Sequence, residues 1–179
     1  FIIKTFWQKK LLAQDFKVVP WCYRCGTALS SHEVAQGYKK VTEPSFYVKF
    51  KLKSQNSKVK IATQNSKVYI LAWTTTPWTL PGNVALAVGK DITYAIIKIL
   101  NTKYQIQDTE YYILAKDRLS LVKDDYEIIQ ELKGSELVGL TYEPLFDVPQ
   151  LKSEKSYKIY AADFVNTKEG TGVVHTAAM

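Results

Sequence analysis

The 179-residue chain is the size of one ordinary domain with a single core. Its 24 basic and 17 acidic residues leave a net charge of +7, compatible with an anionic partner but silent on that partner's sequence or structure. Two cysteines give no disulfide framework and favour a reducing, cytosolic compartment. Phe1-Ile2-Ile3 runs straight into Lys4, so the apolar stretch of a signal peptide is missing. With no initiator Met and an abrupt stop after His175-Thr176-Ala177-Ala178-Met179, the chain is expected to be a piece of a longer one.

In residues 1–14, Ile2, Ile3, Phe6, Trp7, Leu11 and Leu12 approximate a helical apolar stripe, which predicts an amphipathic helix. Lys17-Val18-Val19-Pro20 is extended and leads to Cys22-x-x-Cys25-Gly26, the shape of half a zinc ribbon. A tetrahedral site needs four ligands, there is no second Cys-x-x-Cys, and His32 and His175 lack the spacing of a ligand pair. Cys22 and Cys25 are therefore expected to be free thiols in a turn, at most half a zinc site.

Val48, Phe50 and Leu52 alternate with Lys49, Lys51 and Lys53, which predicts a strand with one solvated, basic face that could attract a phosphate backbone. Gln55-Asn56-Ser57-Lys58-Val59 recurs as Gln64-Asn65-Ser66-Lys67-Val68 around a short strand at Lys60-Ile61-Ala62, a meander feeding a threonine-rich loop. Val68 to Trp73 is a continuous apolar run, a strand buried on both faces. Thr74-Thr75-Thr76-Pro77-Trp78-Thr79-Leu80-Pro81-Gly82-Asn83 then forms the loop, which is stiff. Pro77 disfavours helix at Thr76, and Pro81-Gly82 suits a type II turn. No side chain in this loop ionises near neutral pH. That suits recognition of a small substrate by shape and hydroxyl hydrogen bonds, and equally a Thr- and Pro-rich surface turn. The uncharged window from Val68 to Gly89 is long enough to span a membrane, but two prolines, four threonines and an asparagine exclude it.

Further strands are predicted at Thr93–Leu100, Lys103–Gln107, Tyr111–Leu114 and Lys155–Ala161, with a short helix over Ala115–Val122. Tyr126–Leu132 fits strand or helix, and Gly134–Leu140 a short helix or turn. The Gly170-Thr171-Gly172 turn delivers His175, which by itself reads as a structural hydrogen-bond partner. Many strands with few short helices predict an α+β, β-rich fold with a barrel-like β core and peripheral helices.

Three stretches carry a resemblance. WTTTPWTLPGN from Trp73, followed by Val84-Ala85-Leu86-Ala87-Val88, is similar to the threonine-rich signature of the isoleucyl-tRNA synthetase editing domain, a connective-peptide insertion. Trp21 to Val34 (WCYRCGTALSSHEV) resembles the family's lead into this domain, and Gly170 to Ala177 (GTGVVHTA) its far end. The valyl and leucyl enzymes of this type have Arg where this chain has Thr76, which favours the isoleucine family. On this resemblance, residues 1–37 are a lead-in segment with the helix and the Cys-x-x-Cys turn, and residues 38–179 are the editing domain, truncated at its C-terminal end.

The resemblance implies hydrolysis of valine misacylated onto isoleucine-specific tRNA, with clearance of valyl-adenylate left open. It implies a tRNA 3′ end carrying valine and the remainder of the synthetase chain as partners, no membrane, and a cytoplasmic location. It implies no cofactor in this domain, ATP in the parent enzyme, and in some members a zinc half-site completed by cysteines beyond it. Position by position, Thr74, Thr75 and Thr76 are implied to hold the aminoacyl ester and terminal ribose and to crowd out isoleucine. Trp78 and Thr79 match the pocket wall, with Thr79 a candidate holder of the attacking water. Asn83 matches a residue important for editing, either bonding the terminal adenosine or holding the loop. His175 matches a histidine near the substrate, placed by the turn containing Gly172. The catalytic set is thus Thr75, Thr76, Asn83 and His175, and the substrate-binding set Thr74, Trp78, Thr79 and Gly172.

No Ser-His-Asp or Cys-His arrangement can be drawn from these residues, so a positioned water is expected to attack the ester. Two features depart from the family pattern. Ala178 stands where Pro is usual, and the acidic residue that binds the substrate's ammonium a few positions past the histidine is absent. The alternatives are a non-catalytic RNA-docking or structural module, or the editing domain of a valyl or leucyl enzyme.

Overall fold

Alternation along residues 46–51 and 67–74 sets the architecture, and a computed structural model describes it over residues 1–53, 67–100 and 110–178. The chain divides into two compact units, Phe1–Thr42 and Glu43–Met179.

The first unit opens with α1 (Ile2–Gln8). This is shorter than the helix expected over residues 1–14, and the reason is local. Lys10 adopts φ 55°, and the Leu11 N–H reaches back to the Phe6 carbonyl at 2.9 Å, a left-handed cap that stops the helix. Strands β1 (Trp21–Cys22) and β2 (Thr27–Ala28) pair antiparallel across a turn whose Gly26 has φ 69°. Then α2 (Ser31–Gln36) starts on a capping box: Ser30 Oγ accepts from the Glu33 N–H, and the Glu33 carboxylate accepts from the Ser30 N–H at 2.8 Å.

The second unit holds two larger sheets. In chain order its elements are β3 (Phe46–Lys51), β4 (Lys67–Thr74), β5 (Asn83–Val88), β6 (Thr93–Ile99), β7 (Glu110–Ala115), β8 (Tyr126–Lys133), α3 (Gly134–Leu137), β9 (Lys158–Ala161) and β10 (Val173–Ala177). The five-stranded sheet runs β3-β4-β7-β6-β8 and the three-stranded sheet β10-β5-β9. The α+β, β-rich class with short helices is as expected. Among the described residues the strands form open sheets and no closed barrel.

One core joins both sheets. Phe50, Ile70, Ala72, Ile96 and Ile113 from the large sheet pack with Leu86, Val88, Ile159 and Val173 from the small one. The predicted lysine row is outward-facing but partnered: Lys49 pairs with Glu110 at 3.1 Å and Lys51 with Glu143 at 2.8 Å. β4 is buried mainly on one face, with Tyr69, Leu71 and Trp73 only half-buried on the other. Tyr126–Lys133, ambiguous in sequence, is a strand, and residues 116–121 form a 3-10 helix. The polar turns and short strand at 55–66 and the strand at 103–107 lie outside the described residues.

Strands β5 and β10 are not foreseen. Val84 to Val88 lacks alternation because both its faces are covered or half-covered, and β10 carries His175 and Thr176 amid small residues. The turn leading into β10 is pinned from below. The Tyr94 hydroxyl, fully buried, donates to the Gly172 carbonyl at 2.6 Å and accepts from the Gly89 N–H at 3.1 Å, and burial pushes its pKa up to about 12. Gly172 itself has φ 75°, and a Cβ there would lie 2.5 Å from Ala115 Cβ, so only glycine fits.

Tyr94→Phe takes the hydroxyl partner away from that N–H and that carbonyl, both buried. It should lower the unfolding free energy by about 1–3 kcal/mol. Urea titration should show a lower midpoint with an unchanged slope.

Candidate functional site

The loop leaving β4 does not make the expected type II turn. Residues Pro77–Gly82 form a 3-10 helix that starts with Pro at its first position, and Gly82 does not take positive φ. Pro77 presets the φ of a helical first turn, where a missing N–H is harmless, and so begins a coil even though it disfavours helix at the residue before it. Thr76, with φ −121° and ψ 66°, stays non-helical as expected before proline.

This coil folds the threonines toward one another. Thr74 points to the core side of β4 and is 6% exposed; its Oγ1 accepts from the Thr76 N–H at 3.0 Å and lies 3.2 Å from Thr76 Oγ1. Thr79 Oγ1 donates to the Thr76 carbonyl at 2.7 Å and lies 3.5 Å from Thr76 Oγ1. Strand β10 lies against the same coil, with the Ala178 N–H donating to the Gly82 carbonyl at 2.9 Å. His175 therefore meets the loop, its Nε2 3.2 Å from Thr79 Oγ1.

The protons on this chain of hydrogen bonds can be assigned. A hydroxyl has one, and Thr79 spends its own on the Thr76 carbonyl, which can only accept. Thr79 must then accept from His175, which places the imidazole proton on Nε2. Nδ1 carries the lone pair; it is buried and has no hydrogen-bond partner. Burial alone holds the His175 pKa below its ordinary 6.5, so the ring is neutral near neutral pH.

Of the eight residues singled out in the sequence, Thr74, Thr76, Thr79 and His175 thus form one hydrogen-bonded cluster. Thr75 is half-buried beside it in the chain, and Trp78 projects from the 3-10 helix at 74% exposure. Gly172 shapes the turn under Tyr94, where it lies against Tyr94 and Ala115 rather than joining the threonines. Asn83 is 3% exposed and faces inward. Its Nδ2 donates to the carbonyls of Ala85 at 3.1 Å and Thr176 at 3.3 Å, and its Oδ1 accepts from the Tyr142 hydroxyl at 2.7 Å. These hydrogen bonds tie Asn83 to β5, β10 and Tyr142.

Tyr142 and Arg118 went unmarked in the sequence, and Thr171 figured there only as part of its turn. The Thr171 hydroxyl donates to the Leu71 carbonyl at 2.6 Å, and Arg118 Nε donates to the Gly170 carbonyl at 2.8 Å, tying the turn before β10 to the large sheet. Only the general rule that a buried tyrosine hydroxyl finds a partner could have flagged Tyr142.

Cys22 and Cys25 sit in the first unit as a knuckle, with the Cys25 N–H donating to Cys22 Sγ at 3.3 Å. That contact lowers the Cys22 pKa, and the neighbouring sulfur raises that of Cys25. Two thiols offer half of a tetrahedral set, and no group of three or more His, Cys, Asp or Glu gathers among the described residues. A complete zinc site does not fit the residues at hand. No helix among the described residues is long and apolar enough to cross a membrane.

No family model matches the chain. Curated relatives do. The isoleucine–tRNA ligase of Clostridium tetani is 48% identical over 178 residues, covering 98% of this chain and 15% of the relative. The ligase of Clostridium kluyveri is 45% identical over 175 residues with the same coverage, and that of Picrophilus torridus 43%. The chain thus spans about 15% of the length of the relatives it matches. Among solved structures, GlLeuRS-CP1 superposes with a TM-score of 0.55 at 19% identity, covering 74% of this chain and 54% of that one. The Plasmodium knowlesi (P.knowlesi) cytosolic leucyl-tRNA synthetase editing domain gives 0.55 at 19%, covering 73% and 57%. The chain therefore belongs to the isoleucine–tRNA ligase family, as a segment of it with the fold of the synthetase editing domains.

Proposed function

We propose that this segment hydrolyses valine esterified to isoleucine-specific tRNA, within an isoleucine–tRNA ligase that presents the tRNA 3′ end to it. The observation that carries the reading is the joining of Thr74, Thr76 and Thr79 to His175 across 96 positions of sequence. A family that selects isoleucine faces valine as the standard discrimination problem, since one methylene is worth only about 1–3 kcal/mol in a binding pocket. A second, smaller pocket can supply the remainder.

The cluster suits a neutral, water-based hydrolysis. Its hydroxyls can hold an ester and a water by short hydrogen bonds, and none needs to change its charge. His175 donates a hydrogen bond from its Nε2–H to Thr79 Oγ1 rather than accepting a proton from water, so its part is to fix that hydroxyl. Rate then comes from orientation and from hydrogen bonds to the developing oxyanion. Clearance of valyl-adenylate by the same cluster is a corollary of that chemistry.

Measured in the intact ligase, valyl-tRNA should be deacylated and isoleucyl-tRNA spared. Thr76→Ala and Thr79→Val should each lower the rate on valyl-tRNA on the order of 100-fold or more, as loss of a single positioned hydrogen-bonding group does. Valyl-tRNA hydrolysis that survives both substitutions would exclude this site, and binding without hydrolysis in the unaltered enzyme would leave an RNA-docking module.

Acid should also switch the site off. Protonating His175 adds an Nδ1–H where no acceptor is available, and its depressed pKa means the folded state resists that proton. The unfolded chain binds it more readily below 6.5, so this group's stabilising share is complete above that value and is lost as pH falls through the folded pKa. Deacylation should be level above 6.5 and decline at lower pH. In His175→Gln the acid-dependent loss of stability over this window should shrink, which pH-dependent urea unfolding measures.

A further inference from the structure

The ladder between β10 and β5 is irregular next to the imidazole. His175 faces Leu86 and Thr176 faces Ala85, but Ala177 faces Asn83, so Val84 is an extra residue on β5. Such a bulge re-aims the side chains around it and interrupts the ladder's hydrogen bonds. The Val84 carbonyl accepts from the Tyr157 N–H at 2.6 Å instead. The carbonyls of Ala85 and Thr176 are served by the Asn83 amide, and Ala85 also takes the Thr176 hydroxyl at 3.1 Å.

An amide can do this in one orientation only. Turned over, its oxygen would face two carbonyl oxygens and its NH₂ would face the Tyr142 hydroxyl. With the NH₂ on the carbonyls, the Tyr142 hydroxyl donates to Oδ1 and locks the choice. Tyr142 is itself held. Its ring is fully buried, edge-on to Phe50 at 5.3 Å and to Tyr157 at 6.0 Å. Its N–H donates to the Tyr157 carbonyl at 3.0 Å, and it bridges Leu52 at the end of β3.

We infer that Tyr142 is a positioning residue for the site: through Asn83 it fixes the bulge at Val84, and so the direction in which β10 presents His175 to Thr79. The inference rests on the reading of that cluster as a hydrolytic pocket, but its first test does not.

In the intact ligase, selective ¹⁵N-histidine labelling follows the imidazoles, the His175 signal being the one lost in His175→Gln. In the unaltered chain His175 should show the Nε2–H tautomer and a depressed titration midpoint. Tyr142→Phe should keep a dispersed, folded spectrum, weaken the tautomer signature and move the midpoint toward 6.5. In the intact ligase the same substitution should lower kcat on valyl-tRNA on the order of 10–100-fold with KM little changed, the mark of lost orientation. Ile159→Val, on the neighbouring strand of the same core, controls for lost stability and should leave imidazole and kcat as they were. Asn83→Asp provides a second route if Tyr142→Phe does not fold. It still accepts from Tyr142 but cannot donate to Thr176 and Ala85, and the same His175 changes are expected. A His175 spectrum and a kcat that match the Ile159→Val control would overturn the inference. An unaltered ligase that fails to hydrolyse valyl-tRNA would strike the editing reading instead, while the imidazole spectra still decide the role of Tyr142.

Discussion

The pairing of β5 with β10 is the constraint on which the rest depends. β5 follows directly from the threonine coil, and β10 carries the histidine from the far end of the chain. Laying the two antiparallel brings Thr79 and His175 within hydrogen-bond reach without a long loop between them. The remainder of the second unit serves that contact. β9 flanks β5 on its other edge, and the large sheet supplies the floor through Phe50, Ile70 and Ile96.

Tyrosine hydroxyls do much of the cross-linking between the two sheets. Tyr94 on β6 holds the carbonyl of Gly172 at the mouth of β10, and Tyr142 holds Asn83 at the start of β5. Burial raises both pKa values, so each stays a neutral donor. Each link satisfies polar backbone groups that irregular structure would otherwise strand, directly for Gly172 and through an amide for the bulge. Apolar packing brings the sheets together; these hydrogen bonds choose which arrangement is kept.

The sequence made much of this legible. Alternation in Val48-Lys49-Phe50-Lys51 reports β3 because one face is wet, and the threonine signature reports the site because its residues cluster within six positions. What stayed hidden has identifiable physics. Val84 to Val88 is small and apolar on both faces and so has no period to read, and β10 hides behind polar side chains that look like loop. Pro81-Gly82 fits a turn that the chain could have made, but the 3-10 coil begun at Pro77 competes with it and wins. No local pattern tells where an amide points, which is why Asn83 kept two readings and Tyr142 none.

The surplus residue at Val84 also limits how this stretch can change over generations. Deleting it would mend the ladder and recover ordinary backbone pairing, a gain on its own terms. But the repair would also remove the Val84 carbonyl that accepts the Tyr157 N–H and close up the strand between Asn83 and the Ala85 carbonyl its amide serves. The irregularity is thus protected from the simplest correction: surface loops can lengthen or shorten by one residue at small cost, whereas this strand must keep its extra one.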